Sequence, residues 1–356
     1  MLAASPVDRA DLRERVSKAI DVVLSRQRSR LDAISPELGS VADALSDFLL
    51  ASGKRLRPAF AYWGWRGAGG ADSDDVVAAV ACLEWLQACA LIHDDVMDAS
   101  DTRRGAPAMH RRFASLHRAE GWRGDPEGFG ESAAILLGDF CLIWADEMYN
   151  TSGLPADTLR RGQPFYDVMR TELMAGQYLD LLEQARGGSS AERALRVARY
   201  KSAKYTVERP LHLGAALAGG PALIEAYSAY GLPLGEAFQL RDDLLGVFGD
   251  PSRTGKPAGD DLREGKRTVL IALTLERADA RQAALIRRHL GDPQLAPGDV
   301  AALREVIEET GAVAESERLI SDRTERALTA LVAADIDDEA REVLRDLAAA
   351  ATARRL

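Results

Sequence analysis

Asp94, Asp95 and Asp98 stand together in the run Leu91-Ile92-His93-Asp94-Asp95-Val96-Met97-Asp98, which is followed by Arg103-Arg104-Gly105. A second acidic pair, Asp242-Asp243, lies in Phe238-Gln239-Leu240-Arg241-Asp242-Asp243-Leu244-Leu245-Gly246. Both runs read as helix. Asp94 and Asp98 are four apart, so on a helix their carboxylates share one face. Like charges so placed repel by roughly a few tenths of a kcal/mol, which a helix accepts only with compensation. A hard divalent cation supplies it. Mg2+ takes a few carboxylates together with waters and phosphate oxygens rather than an all-protein cage. Two such faces across a cavity would hold several Mg2+ ions and, through them, a diphosphate. The plain alternative is two solvated helix ends in a chain that is 28% charged. The basic residues of Gly53-Lys54-Arg55-Leu56-Arg57-Pro58 weigh against it. A positive pair at a helix start opposes the helix dipole, and a bound anion accounts for it better.

The elements that must carry these residues are helices. Of 356 residues, 47% are hydrophobic and only 6% aromatic, a balance that favours packed helices over sheets. The net charge of −10 excludes a basic nucleic-acid footprint. Cys82, Cys89 and Cys141 make neither a disulfide framework nor a CxxC metal pair. The first two, seven apart, belong to one packed helix face. His93, His110, His117, His212 and His289 offer no metal-ligand pair at helical spacing, and Trp85 and Trp144 read as packing residues. No run of 18 or more purely apolar residues predicts a transmembrane segment, and residues 1–10 lack a signal pattern. A reducing, cytoplasmic setting is expected.

Along the chain, Ser5-Pro6 predicts the start of a helix to about Leu31, Pro36 opens a second that Gly53 ends, and Pro58 opens a third that stops in Gly67–Gly70. Residues 75–98 are apolar almost all round and should lie inside the fold. Residues 118–130 read as a loop. Helices are expected at about 131–152, 164–185, 191–219 and 222–248, with a kink at Pro210. A loop at 249–261 and charged peripheral helices from 262 to 355 complete the pattern. The expectation is an all-α, single-domain bundle around a central substrate cavity, with a motif-bearing core at about 50–270 and peripheral helices at about 1–50 and 271–356.

In order along that core, the motifs resemble those of the trans-isoprenyl diphosphate synthases, or polyprenyl synthetases, and most of all the bacterial geranylgeranyl diphosphate synthases. Besides the runs already quoted, the resemblance takes in Gly138-Asp139, Gly176-Gln177 with Asp180, and Lys201-Ser202. It closes on Gly255-Lys256, Gly259, Asp261 and Lys266-Arg267-Thr268. It implies condensation of an allylic diphosphate with isopentenyl diphosphate, assisted by Mg2+ in three ions. Asp94, Asp98 and Asp242 would be the metal ligands, and Asp95 and Asp243 would orient ligands and waters. Arg103, Lys201, Ser202, Gln239, Lys256 and Lys266 would hold the allylic diphosphate. Lys54, Arg57, Gln87 and Arg104 would form the metal-free pocket for isopentenyl diphosphate, where the planar arginine fork suits phosphate. Asp94, Asp98, Arg103, Lys201, Asp242 and Lys256 would carry catalysis, the charge growing on the leaving group being neutralised without a side-chain base. The family also implies a homodimer.

Three departures stand out. Gly246 replaces a third aspartate, Gln87 a common histidine, and Ser202 a usual threonine. A class I terpene cyclase shares the first acidic motif but lacks the basic pocket. A silent partner subunit would have lost acidic residues. For product length, the residues just before Asp94 would form the floor of the chain pocket. Cys89 and Ala90 are small and Leu86 lies one turn deeper. A product longer than C15 is expected, with geranylgeranyl diphosphate (C20) favoured over farnesyl or longer chains. Each helical turn, about 5.4 Å, matches roughly one isoprene unit.

Overall fold

The computed structural model describes residues 6–51, 53–188, 190–250 and 259–352. The chain gathers into two compact units, one of Met1–Pro164, Pro210–Pro221 and Ile336–Val343, the other of Phe165–Arg209, Ala222–Asp335 and Leu344–Leu356.

In the first unit, α1 (Leu12–Ile34), α2 (Gly39–Leu50) and α3 (Leu56–Gly67) precede α4 (Asp74–Met97), with α5 (Met109–Ala119) and α6 (Pro126–Asn150) after it. The Ser73 hydroxyl caps α4 by accepting the Val76 N–H at 3.3 Å. As its all-round apolarity predicts, α4 is a core helix: Val76, Val80, Leu83, Trp85, Leu86 and Ile92 are all buried. It runs against α6, where Trp85 and Trp144 meet edge to face at 5.5 Å. By length and composition α4 and α6 would each span a membrane, but 72% of the apolar stretch of α4 is buried within the protein. For α6 the share is 39%, and Ile135, Leu136 and Ile143 are exposed along it.

The second unit holds most of α7 (Ala156–Arg186), then α8 (Ala191–Ala198) and a π-helical segment, Arg199–Glu208. Beyond α9 (Arg209–Ala218), which returns to the first unit, come α10 (Ile224–Phe248), α11 (Asp260–Arg263) and α12 (Val269–Arg277). The chain continues through α13 (Ala280–His289), α14 (Pro297–Glu309), α15 (Ala312–Ala333) and α16 (Asp338–Thr352). Leu240, Leu244 and Val247 of α10 pack with Leu270, Ile286, Leu303, Ile307 and Ile320 in one core.

Several boundaries differ from the sequence reading. Ser5 lies outside the described residues, and the first α-helix begins at Leu12 after a 3-10 turn, Pro6–Asp11. The third helix starts two residues before Pro58, which the first turn tolerates because its N–H groups have no intrahelical partner. Residues 126–130 are helix, not loop, since Pro126 follows the cap Asp125, whose carboxylate accepts the Glu127 and Gly128 N–H groups. A short antiparallel pair, Thr102–Arg103 with Ala106–Pro107, interrupts the helical pattern.

The largest correction concerns 191–219. Instead of one helix kinked at Pro210, ten residues widen to the π form, and the Arg209 N–H reaches the Lys204 carbonyl five residues back. This relieves the crowding that a proline ring imposes on the preceding turn. Two glycines admit the widened segment. A Cβ on Gly176 of α7 would lie 2.3 Å from the Lys201 backbone N, and one on Gly235 of α10 would lie 2.5 Å from the Ala203 O. Backbone cannot yield as a side-chain tip can. Gly176→Ala and Gly235→Ala should each cost about 1–3 kcal/mol, read as a lowered urea midpoint at unchanged m; wild-type stability in both would show that the contact is not needed.

Candidate active site

Asp94 and Asp95 fall in the last turn of α4 and Asp98 is its C-cap. Their environments separate them. The Asp95 side chain is 0% exposed and is gripped by Arg103, whose Nε donates to its Oδ1 at 2.8 Å. Arg103 reaches back because Arg104 and Gly105 both have positive φ, 55° and 78°, as a tight type I′ hairpin turn requires. The same guanidinium lies 3.8 Å from Asp94 Oδ2. Asp94, 8% exposed, shares a face of α4 with half-buried Gln87, Ala90, Leu91 and Asp98. Cys89 and Leu86 have zero exposure. The Cys89 thiol lies 3.8 Å from His93 Nδ1 and, pushed up to about 12 by burial with Asp139 nearby, stays protonated. Leu83, also at 0%, is the next residue on the stripe beyond Gln87.

The basic run folds around an ion pair that its sequence did not single out. Arg55 takes a left-handed conformation (φ 49°) at the start of α3. Its guanidinium donates to Glu84 Oε2 at 2.5 Å and to the Leu49 carbonyl at 2.6 Å. Both side chains are 3% exposed. That anchor leaves Lys54 exposed and Arg57 half-buried on either side. Arg104 donates to the Phe48 carbonyl at 3.4 Å and stacks 5.5 Å from the Phe48 ring. Partial desolvation pulls Arg104, though exposed, below the ordinary arginine value; Glu84 opposes this, and the cations Arg55, Arg103 and Arg57 add to it. Such a cluster favours an anion.

In the second unit Asp242 is exposed and Asp243 buried. Burial pushes the Asp243 carboxyl up to about 8, although Gln239 Nε2 donates to it at 2.7 Å; Asp261 and Asp242 add to the rise. Lys201, on the π segment, donates to Asp180 at 2.6 Å, and Ser202 is half-buried beside it. Lys266 pairs with Glu264 at 2.7 Å and lies 3.8 Å from Asp261. Lys256, with Gly255, lies outside the described residues. No three His, Cys, Asp or Glu side chains converge into a metal cage among the described residues. A pair of hard oxygen donors one helical turn apart, open on one side, fits Mg2+, which keeps waters and phosphate oxygens as its other ligands.

Residues 40–309 match the family model described as polyprenyl synthetase. The chain belongs to the polyprenyl synthetase family. Its structure is similar to a geranylgeranyl pyrophosphate synthase from Corynebacterium glutamicum complexed with isoprenyl diphosphate and magnesium, with a TM-score of 0.94 and 48% identity over 97% of this chain and 99% of that one. A short chain isoprenyl diphosphate synthase of Methanothermobacter thermautotrophicus is 30% identical over 91% of this chain and 92% of its own. A geranylfarnesyl diphosphate synthase of Aeropyrum pernix is 29% identical over 88% of this chain and 94% of its own. This polyprenyl synthetase is accordingly a trans-prenyltransferase of the all-α class, from a family that uses Mg2+.

The synthetase keeps its basic turn in place through Arg55 and Glu84, and removal of one partner strands a buried charge. Glu84→Ala should therefore cost about 3–5 kcal/mol, with the isosteric Glu84→Gln milder, by chemical denaturation. A loss below about 1 kcal/mol in the alanine variant would mean that the pair does not hold the turn.

Proposed function

We propose that this enzyme condenses an allylic diphosphate with isopentenyl diphosphate and that its product is geranylgeranyl diphosphate. One observation carries the product length: the reachable stripe of α4 runs from Asp98 through Asp94, Leu91, Ala90 and Gln87 and meets fully buried Leu83. Eleven residues of helix separate Leu83 from Asp94, about 16 Å. That is about three extended isoprene units, so a C15 primer fits and a C20 product has reached the floor. Ala90 lies on this stripe, with Cys89 and Leu86 behind it.

On this reading Asp94, Asp98 and Asp242 hold Mg2+, three ions with diphosphate bound, and Asp95 and Asp243 orient ligands and waters. Bound Mg2+ supplies Lewis-acid neutralisation of the leaving diphosphate. Arg103, Lys201, Ser202, Gln239, Lys256 and Lys266 bind the allylic diphosphate and stabilise the charge that develops as its C–O bond breaks. Lys54, Arg57, Gln87 and Arg104 bind isopentenyl diphosphate without metal, which the basic cluster around Arg104 supports. Asp180 holds Lys201 ready until a diphosphate competes for it. The two units act as one catalytic domain. The exposed Ile135, Leu136 and Ile143 of α6 support a homodimer, and three buried cysteines outside any disulfide support a cytoplasmic setting.

Purified protein with labelled isopentenyl diphosphate, Mg2+ and C5, C10 or C15 primers should give a C20 product. Asp94→Ala and Asp98→Ala should lower kcat by about several orders of magnitude, and Asp242→Ala nearly as much; normal turnover in Asp94→Ala would sink the metal assignment. Arg57→Ala and Arg104→Ala should mainly raise KM for isopentenyl diphosphate, whereas Lys201→Ala and Lys256→Ala should alter both KM and kcat on the allylic side. A reversed pattern would exchange the two pockets.

Product length has its own test by chromatography. Ala90→Phe should shorten the product toward C15 or C10, and Leu83→Ala should lengthen it. Phe at position 89 tests whether the neighbouring side of the helix contributes. Unchanged products from folded, active Ala90→Phe and Leu83→Ala enzymes would show that the chain does not follow this stripe.

A further inference from the structure

On α7, Glu172, Gly176 and Asp180 recur at four-residue spacing and so share one face of the helix. Asp180 accepts from Lys201 Nζ at 2.6 Å, and Gly176 admits the Lys201 backbone. Glu172, which belongs to none of the motifs quoted above, holds the far end of the π-helical segment. Its Oε2 accepts from Arg209 Nε at 2.7 Å, and its Oε1 accepts from Arg209 Nη2 at 2.7 Å and from Lys204 Nζ at 3.0 Å. The Lys204 side chain is 12% exposed, and those of Glu172 and Arg209 are 15% exposed. Burial alone would raise the Glu172 carboxyl, but Arg209 and Lys204 hold it below the ordinary value, so it stays an anion.

Lys204 and Arg209 are the two residues joined by the five-residue backbone bond of the π turn. That bond stacks one above the other. In a regular α-helix, residues five apart point about 140° away from each other. A single carboxylate shared by both, with the Arg209 fork engaged through two nitrogens, matches the widened register. Lys204 also has Glu208 Oε2 at 3.2 Å, but that pair lies within the segment, whereas Glu172 ties it to another helix. We propose that Glu172 is a positioning residue of the reaction: by holding Lys204 and Arg209 on one carboxylate it keeps the segment at its π width and so aims Lys201. This rests on the reading of Lys201 as a contact to the allylic diphosphate.

The experiment is steady-state kinetics of the full chain, each diphosphate varied in turn, for Glu172→Gln, Lys201→Ala and the double variant, with circular dichroism as the check on folding. Glu172→Gln keeps the shape and removes the charge. It should lower kcat/KM for the allylic diphosphate roughly tenfold to a hundredfold, the scale of a small misplacement, and leave KM for isopentenyl diphosphate within about twofold of wild type. In the Lys201→Ala background the same substitution should cost less than about twofold, because its effect passes through Lys201. Arg209→Lys keeps the charge without the fork and should behave likewise; it decides the matter if Glu172→Gln does not fold. An unchanged allylic kcat/KM overturns the proposal. So does a loss of equal size with and without Lys201, the mark of a general structural effect. Lys201→Ala separates the two levels. If it leaves the allylic kinetics unchanged, the reading of Lys201 fails and the proposal with it; if it acts there while Glu172→Gln does not, only the role of Glu172 is lost.

Discussion

Three carboxylates crowd the C-terminal turn of α4, where the backbone already presents its unsatisfied carbonyls and the negative end of its dipole. Each anion there opposes the dipole by about 0.3–1 kcal/mol, and Asp94 and Asp98 repel each other besides. The protein relieves part of this itself. Arg103, brought back by a two-residue turn, neutralises Asp95, which has no exposed surface. It leaves Asp94 and Asp98 on the open side. A helix end of this kind favours cations, and on the proposed reading Mg2+ would supply further positive charge there. Such an end becomes favourable when it holds the metal ions of a diphosphate.

The second acidic pair faces a different constraint, because burial rather than a helix end sets its energetics. Asp243 is held against Gln239 at a high proton affinity while Asp242 stays in solvent. A cation nearby inverts that balance toward the carboxylate. Around it the scaffold is unusually tight. Backbone packs on backbone where Gly176 and Gly235 admit the π-helical turns, and the shift of register this produces sets where Lys201 points, toward Asp180. A regular helix over 199–208 would distribute its side chains at a different angle.

Much of this was legible in the sequence, for identifiable reasons. The all-round apolarity of 75–98 marked α4 as a core helix, since such a surface has nowhere else to go. Burial, which the sequence does not print, differs among the five aspartates: Asp95 and Asp243 are enclosed, Asp94 is 8% exposed, Asp98 is half-buried and Asp242 is exposed. What escaped is what periodicity does not encode. Hydrophobic spacing over 191–219 fits a 3.6-residue and a widened helix alike over a few turns, so the π segment was invisible. Arg55 looked like its basic neighbours, and only its left-handed backbone and the Glu84 side chain 29 residues away make it structural. Pro126 was hidden by the glycines around it. On the proposed path of the chain, the helical angle, which sequence distance alone does not give, puts Leu83 nearer the Asp94 line than Cys89 or Leu86.

The charge pattern also distinguishes two ways of holding the same chemical group. Around Arg104 the cations Arg55, Arg57 and Arg103 make positive charge costly, and the enclosed Glu84 accepts a hydrogen bond from Arg55. A diphosphate entering there removes repulsion without help. At Asp94 and Asp98 the sign is reversed, and a bare diphosphate would add anion to anion. Binding at that face therefore requires metal, and metal is what weakens the bond to a leaving diphosphate. The basic cluster offers no such ion, so a diphosphate held there is bound by hydrogen bonds and charge while its carbon–oxygen bond is left alone. On the proposed assignment of the two pockets, opposite charge at the two places would let one enzyme activate one of two substrates that carry the same head group.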